Sequence, residues 1–443
     1  MTWPRRSAAV LMAVVLGLSW AGAGSAARAD EPKRPMPDYD GRGEPPTTAG
    51  GVLIWVPRVI VSPLYLVSEF ILRRPLGALV RAVEAHNVVE RVEDVLGIGQ
   101  PIGLVPTFYY DLSVHPHFGL YFFWDGFIIP ESSLRMTGSA GVDYLAATVT
   151  DRFTLAPQLV LTLRYNSSSR SDNIFFGIGP HTTDDFESRY EMRRLEGSVA
   201  IEWGNVLHRV RLELGERDIR FGGDTCCGNP SLTQAVANGD YPLPFGFADG
   251  GYQGPYGHLR IAFDTRAVAP ATGAGIVLDG EIGSDLAHDR SWIRGGGTIG
   301  GSVDLSGTGR VLSLVVGAQM VEPTSGEDVP FTELISLGGT GPLPGFPAGQ
   351  LLGRSAADAT LSYEWPTWIF MVGVAHVAVG NVFGPRLDDF DVDLLRLTTG
   401  IGVRSIGPPD HRFSFQIAFG TRPFDQGFAF DSVALVIGGI TGF

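Results

Sequence analysis

Arg412 to Gly420 reads RFSFQIAFG, with Phe413, Phe415, Ile417 and Phe419 alternating with Ser414, Gln416, Ala418 and Gly420. Successive side chains of a strand point to opposite faces, so this stretch makes a strand with one wholly apolar face. Working outward, the same period of two recurs at Leu159, Leu161, Leu163 and Tyr165, at Leu195, Val199, Ile201 and Trp203, and at Val210, Leu212 and Leu214. It returns at Leu259, Ile261 and Phe263, at Leu312, Leu314 and Val316, at Leu361, Tyr363 and Trp365, and at Val433, Leu435 and Ile437.

A soluble β-sandwich alternates in the same way, so the pattern alone does not place the sheet in lipid. The intervening residues do that. Arg164, Glu202, Arg211, Glu213, Arg260 and Glu364 fall mid-strand on the polar face, where a water-filled lumen accepts them, and many aromatics fall near strand ends, as a membrane girdle requires. Composition agrees: glycine is 59 of 443 residues, aromatics are 10% and charged residues only 18%. Strands need β-branched and aromatic residues, turns need glycine, and a lipid-facing surface cannot carry charge. The expected fold is all-β, a transmembrane antiparallel barrel of about 16 strands over residues 97–443. Counting strands back from the C-terminus puts the long stretch Phe221 to Tyr256 on the periplasmic side, against the rule that long loops are extracellular.

The N-terminal part has a different texture. Arg5 and Arg6, an apolar run from Ala8 to Trp20, and Ala27-Arg28-Ala29 before Asp30 make residues 1–29 a cleavable signal peptide. Residues 30–51 are rich in Pro, Gly and charge and read as a disordered linker. Residues 52–96 have helical texture, but Pro57, Pro63, Arg58 and Glu69 make a membrane-spanning helix costly. They read as an amphipathic helical segment in the periplasm, lying on the inner leaflet or packed under the barrel mouth. The chain is expected in the Gram-negative outer membrane, with lipid, lipopolysaccharide and the barrel assembly machinery as partners. A formal net charge of −14 argues against nucleic acid.

Phe331 to Tyr363 reads FTELISLGGTGPLPGFPAGQLLGRSAADATLSY. Gly338-Gly339, then Leu343-Pro344-Gly345-Phe346, then Gly353-Arg354, then a strand carrying Glu364, follow an order and spacing that resembles the BamA/TamA-type outer-membrane assembly factor superfamily, the bacterial surface antigen barrel family. AVGNVF (Ala378 to Phe383), TGIGVR (Thr399 to Arg404) and the terminal Phe443 add to the resemblance. It implies a 16-stranded barrel with a loop turned into the lumen, a first and last strand that pair weakly, and a role in inserting or translocating proteins, client outer-membrane proteins among them. Two departures stand out. Pro344 occupies the position of the family's loop arginine, so the loop's usual contact with a neighbouring acid is missing and Glu364 is left without its partner unless Arg354 supplies the charge. Residues 30–97 leave no room for the family's periplasmic POTRA domains. The last residues, VIGGITGF, keep Gly438 and Phe443 of an assembly signal.

Other chemistry is thin. No G-x-S-x-G occurs and no His stands near a Ser in a catalytic setting, so no enzyme is expected. Asp388, Asp389, Asp391 and Asp393 lack the glycine and terminal glutamate of an EF-hand and read as a solvated loop. His115 and His117 share a strand face but lack a third ligand. Cys226 and Cys227, the only cysteines, are adjacent, and a bond between Cα atoms about 3.8 Å apart is strained and readily reduced. They read as loop residues or a vicinal bridge. No cofactor or metal is expected. The competing functions are a passive solute pore and a structural surface-antigen barrel.

Overall fold

A computed structural model describes residues 100–205, 207–223, 226–267, 272–305, 307, 309–368, 371–406 and 412–440. The signal peptide, the linker, the helical segment 52–96, residues 97–99 and Phe443 lie outside these. The strands are β1 (Ile102–Asp111), β2 (Val114–Asp125), β3 (Ser132–Gly141), β4 (Tyr144–Ala156), β5 (Leu159–Phe175) and β6 (Ser188–Gly204). They continue with β7 (His208–Gly222), β8 (Gly251–Asp264), β9 (Gly273–Asp285), β10 (Arg290–Asp304), β11 (Val311–Ser325) and β14 (Ser355–Trp368). The last four are β15 (Met371–Phe383), β16 (Arg396–Ser405), β17 (Arg412–Thr421) and β18 (Phe430–Ile440). These sixteen strands close into one antiparallel barrel, each paired with its neighbours along the chain and β1 with β18. Between β11 and β14 the chain makes a small separate hairpin, β12 (Ile335–Leu337) with β13 (Leu351–Gly353).

The alternation sets which side of the wall faces what. Leu212, Leu214, Ile201 and Trp203 are about half exposed on the outside, while Thr162, Ala200, Arg217 and Ala418 on the other register are buried. A soluble protein reverses this arrangement, and apolar residues turned outward around a closed barrel are the mark of a wall solvated by lipid. Among the described residues no helix is long and apolar enough to cross a membrane. The strands do the crossing. Leu214 stands mid-strand on this face, so Leu214→Arg is expected to cost about 2–4 kcal/mol, measured as the shift in urea midpoint of the barrel refolded in lipid.

The two ends differ. The end where β1 begins and β18 finishes has short turns such as Pro157–Gln158, and the other carries the connections 176–187, 223–250, 326–354 and 384–395. Short periplasmic turns and long external loops orient the barrel. This corrects the strand count made from sequence: residues 223–250, with both cysteines, belong to the long-loop end.

Closure is uneven. β1 and β18 share three registered positions among the described residues, Tyr109 with Gly438, Tyr110 with Ile437 and Asp111 with Val436. The next shortest ladder, β16 with β17, has seven. Gly438 thus sits in the closing seam and also pairs with Ser414 of β17.

Candidate functional site, a loop anchored across the lumen

The segment between β11 and β14 does not stand outside the barrel. Its stem begins at Phe331, whose fully buried ring lies 5.1 to 5.5 Å from the rings of Phe221, Tyr190 and Phe175 on β7, β6 and β5. Two residues on, Glu333 accepts two hydrogen bonds from Arg217 of β7 at 2.8 and 2.9 Å, and a further one from the Tyr252 hydroxyl. Arg217 also bonds Glu281 of β9 at 3.0 Å and lies over the Tyr256 ring at 4.1 Å. Arg294 of β10 donates to the Glu333 carbonyl and lies 3.5 Å from its carboxylate. Glu333 lies in a connection, outside the spanning strands. Burial raises its carboxyl pKa, but the guanidinium groups of Arg217 and Arg294 outweigh that and leave it below the ordinary value.

Beyond β12 the chain turns at Gly338, whose φ of 105° is a conformation that side-chain-bearing residues rarely adopt. Its N–H donates to the Pro342 carbonyl at 2.8 Å, and the Gly339 N–H to the Phe346 carbonyl at 2.8 Å, so the tip is closed on itself. Pro342, Pro344 and Pro347 fit this turn because none supplies an N–H that the turn uses. Leu343, fully buried, is held at φ 63°, a strained position for leucine.

The tip then reaches the opposite wall. The Gly345 N–H donates to Thr398 Oγ1 of β16 at 2.9 Å, and the fully buried ring of Phe346 lies against Gly420 of β17. A Cβ on Gly420 would stand 2.6 Å from that ring, so the site exists only because residue 420 is glycine. The guanidinium of Arg396 lies 5.4 Å over the Phe346 ring. Where the tip carries Pro344 instead of an arginine, the wall supplies the cation to the tip's aromatic ring. Arg396 also donates to the carbonyls of Pro180 and Thr182 at 2.9 and 2.6 Å, and Asn381 of the GNVF stretch to those of Pro180 and Leu394, so the β5–β6 connection is tied to the same wall.

The structure assigns other partners to the two charged residues paired from sequence. Arg354 bonds Glu322 at 2.7 Å and Asp328 at 2.9 Å near the long-loop end. Glu364 lies toward the short-turn end and is bonded by Arg404 of β16 at 2.6 and 2.7 Å. Arg404 closes the TGIGVR stretch, and nothing in its spacing marks it as the partner of Glu364. Glu364 is therefore not the strand partner of the loop, because β14 carries it nine residues down the wall from Ser355, whereas the tip contacts β16 at Thr398, near that strand's start. Sequence reading also missed Glu333, whose only signal is an acid inside the apolar stretch before the Gly-Gly pair. Beside the tip the lumen keeps a cavity of about 390 Å³, lined by Tyr109, His117, Tyr144, Arg164, Arg170 and Thr340.

No protein-family model and no curated protein sequence matches the chain. Solved structures do. BamA from Haemophilus ducreyi lacking POTRA domains 1–3 is 16% identical over 76% of this chain and 70% of that chain, with a TM-score of 0.54. CdiB from Escherichia coli is 11% identical over 76% of this chain, with a TM-score of 0.50, and this chain spans 62% of its length. At such identities the likeness is one of fold: this chain is a closed sixteen-stranded outer-membrane β-barrel similar to the barrels of BamA and CdiB.

Proposed function

We propose that this barrel assists the insertion or translocation of proteins at the outer membrane by opening between β1 and β18. The observation that carries the reading is a juxtaposition. Among the described residues the shortest ladder of the barrel lies between β1 and β18, and the lumen loop is fastened to β17, the neighbour of β18, and to β16 beyond it. A strand edge freed there offers unpaired backbone groups to an incoming strand, while the fixed loop keeps the rest of the wall in shape. Lipid and lipopolysaccharide surround the wall, client outer-membrane proteins engage the seam, and Gly438 with Phe443 forms the signal by which the assembly machinery recognises this chain. No cofactor enters, and the work is done by strand pairing.

Depletion in the native host, followed by comparison of outer-membrane proteomes, tests the reading. A specific set of outer-membrane proteins is expected to fall in abundance with their transcripts unchanged. An unaltered proteome combined with loss of a small-solute permeability would favour the passive pore.

A further inference from the structure

His115 and His117 do not act together. The His117 ring stacks on Tyr109 and lies tilted against Tyr144, at 5.1 and 4.3 Å between ring centres. His115 turns elsewhere. Its Nδ1 lies 2.5 Å from Asp143 Oδ2 in the β3–β4 turn and 3.7 Å from Cys227 Sγ in the β7–β8 connection. The ligand atoms of His115, Asp143, Cys226 and Cys227 all lie within 4.8 Å of one another. The start of β2 and two separate connections of the long-loop end thus converge on one point, which sequence spacing could not reveal.

The four groups are held for this. The His115 N–H of the main chain donates to Asp172 at 2.8 Å, fixing the start of β2. The other oxygen of Asp143 accepts the Ser171 hydroxyl at 2.9 Å, which turns Oδ2 toward the imidazole. Cys227 is held at φ 67°, a left-handed conformation that favours glycine, and the residue is exposed. In this state Cys226 and Cys227 are bonded to each other.

We propose that the reduced form of this cluster is a binding site for a borderline d-block cation of the zinc type, with two thiolates, the His115 imidazole and the Asp143 carboxylate as ligands. Sulfur and imidazole nitrogen are the donors such cations select, and four ligands at about 2.0–2.3 Å complete a tetrahedral site. Loading takes two steps. Two equivalents of a small thiol give their electrons and protons to the disulfide and leave as their own disulfide. The cation then displaces both cysteine protons to solvent, while the hydrogen on His115 Nδ1 moves by way of water to Nε2, so that Nδ1 and the Asp143 carboxylate are free to ligate. The surface environment keeps the bond closed, so the site opens only to a reductant, and the bound cation pins the β7–β8 connection to the first two hairpins.

The test uses the full chain refolded in detergent, titrated with Co²⁺ before and after treatment with a phosphine reductant. The reduced chain is expected to bind one equivalent with a thiolate-to-cobalt charge-transfer band, which Zn²⁺ abolishes, and the oxidised chain to show none. His115→Ala and Cys227→Ser should weaken binding by about tenfold or more, and His117→Ala should leave it unchanged. The comparison of the two redox states needs no variant, so misfolding cannot obscure it. A reduced chain without the band, or a band that persists in Cys226→Ser and Cys227→Ser, would overturn the proposal.

Discussion

Glu333→Ala is expected to release the lumen loop, because it removes the carboxylate that faces two guanidinium groups in a buried site. Breaking a buried pair on one side costs about 3–5 kcal/mol, and the lower end applies because Arg217 keeps Glu281. The barrel wall should survive, with heat-modifiable migration retained, while a protease site placed at Thr340 becomes cleavable from outside. The pH dependence has a definite sign. The folded carboxyl lies below its unfolded value, so its contribution is complete above the unfolded value of about 4.3 and is lost as pH falls through the lower folded value. Acid should therefore release the loop in the native chain, and Glu333→Gln should abolish that acid step. A Glu333→Ala loop as protected as the native one would remove the ionic anchor from the account.

Deleting Pro342 to Pro347 is the second large effect. It removes Leu343 and Phe346, both fully buried, together with the Gly345 contact to Thr398. The cavity beside the tip should then join the space the tip vacates, and single-channel conductance should rise several-fold. Gly420→Val reaches the same end by one substitution, since its side chain needs the space of the Phe346 ring. Unchanged conductance in both would mean that the tip does not obstruct the lumen.

Much of this could be read from the chain, and the failures have physical reasons. Phe413 to Phe419 announced a lipid-facing strand because period-two alternation survives in any strand with one apolar face, and β17 is that strand. The Gly-Gly and Leu-Pro-Gly-Phe stretches marked the loop because turn chemistry is local. Partners were harder to find. Glu364 meets Arg404 across β15, and Arg217 meets Glu333 over more than a hundred positions of chain, pairings that depend on register and closure. The acidic run behaved as a local feature should: Asp389 accepts the Gly384 N–H and Asp391 the Asp393 N–H, closing turns of its own loop. The side of the cysteines stayed open in the sequence, where strand count and loop length disagreed, and with it the convergence on His115.

Locking the seam tests the central claim most directly. In a chain carrying Cys226→Ser and Cys227→Ser, Tyr110→Cys with Ile437→Cys joins registered partners of β1 and β18, and Ile417→Cys with Leu435→Cys joins β17 to β18 as a control. The account predicts that oxidising the first pair reproduces the proteome change of depletion, that reducing it restores function, and that the second pair has no effect. Full function with the β1–β18 bond closed in nearly all molecules would contradict it.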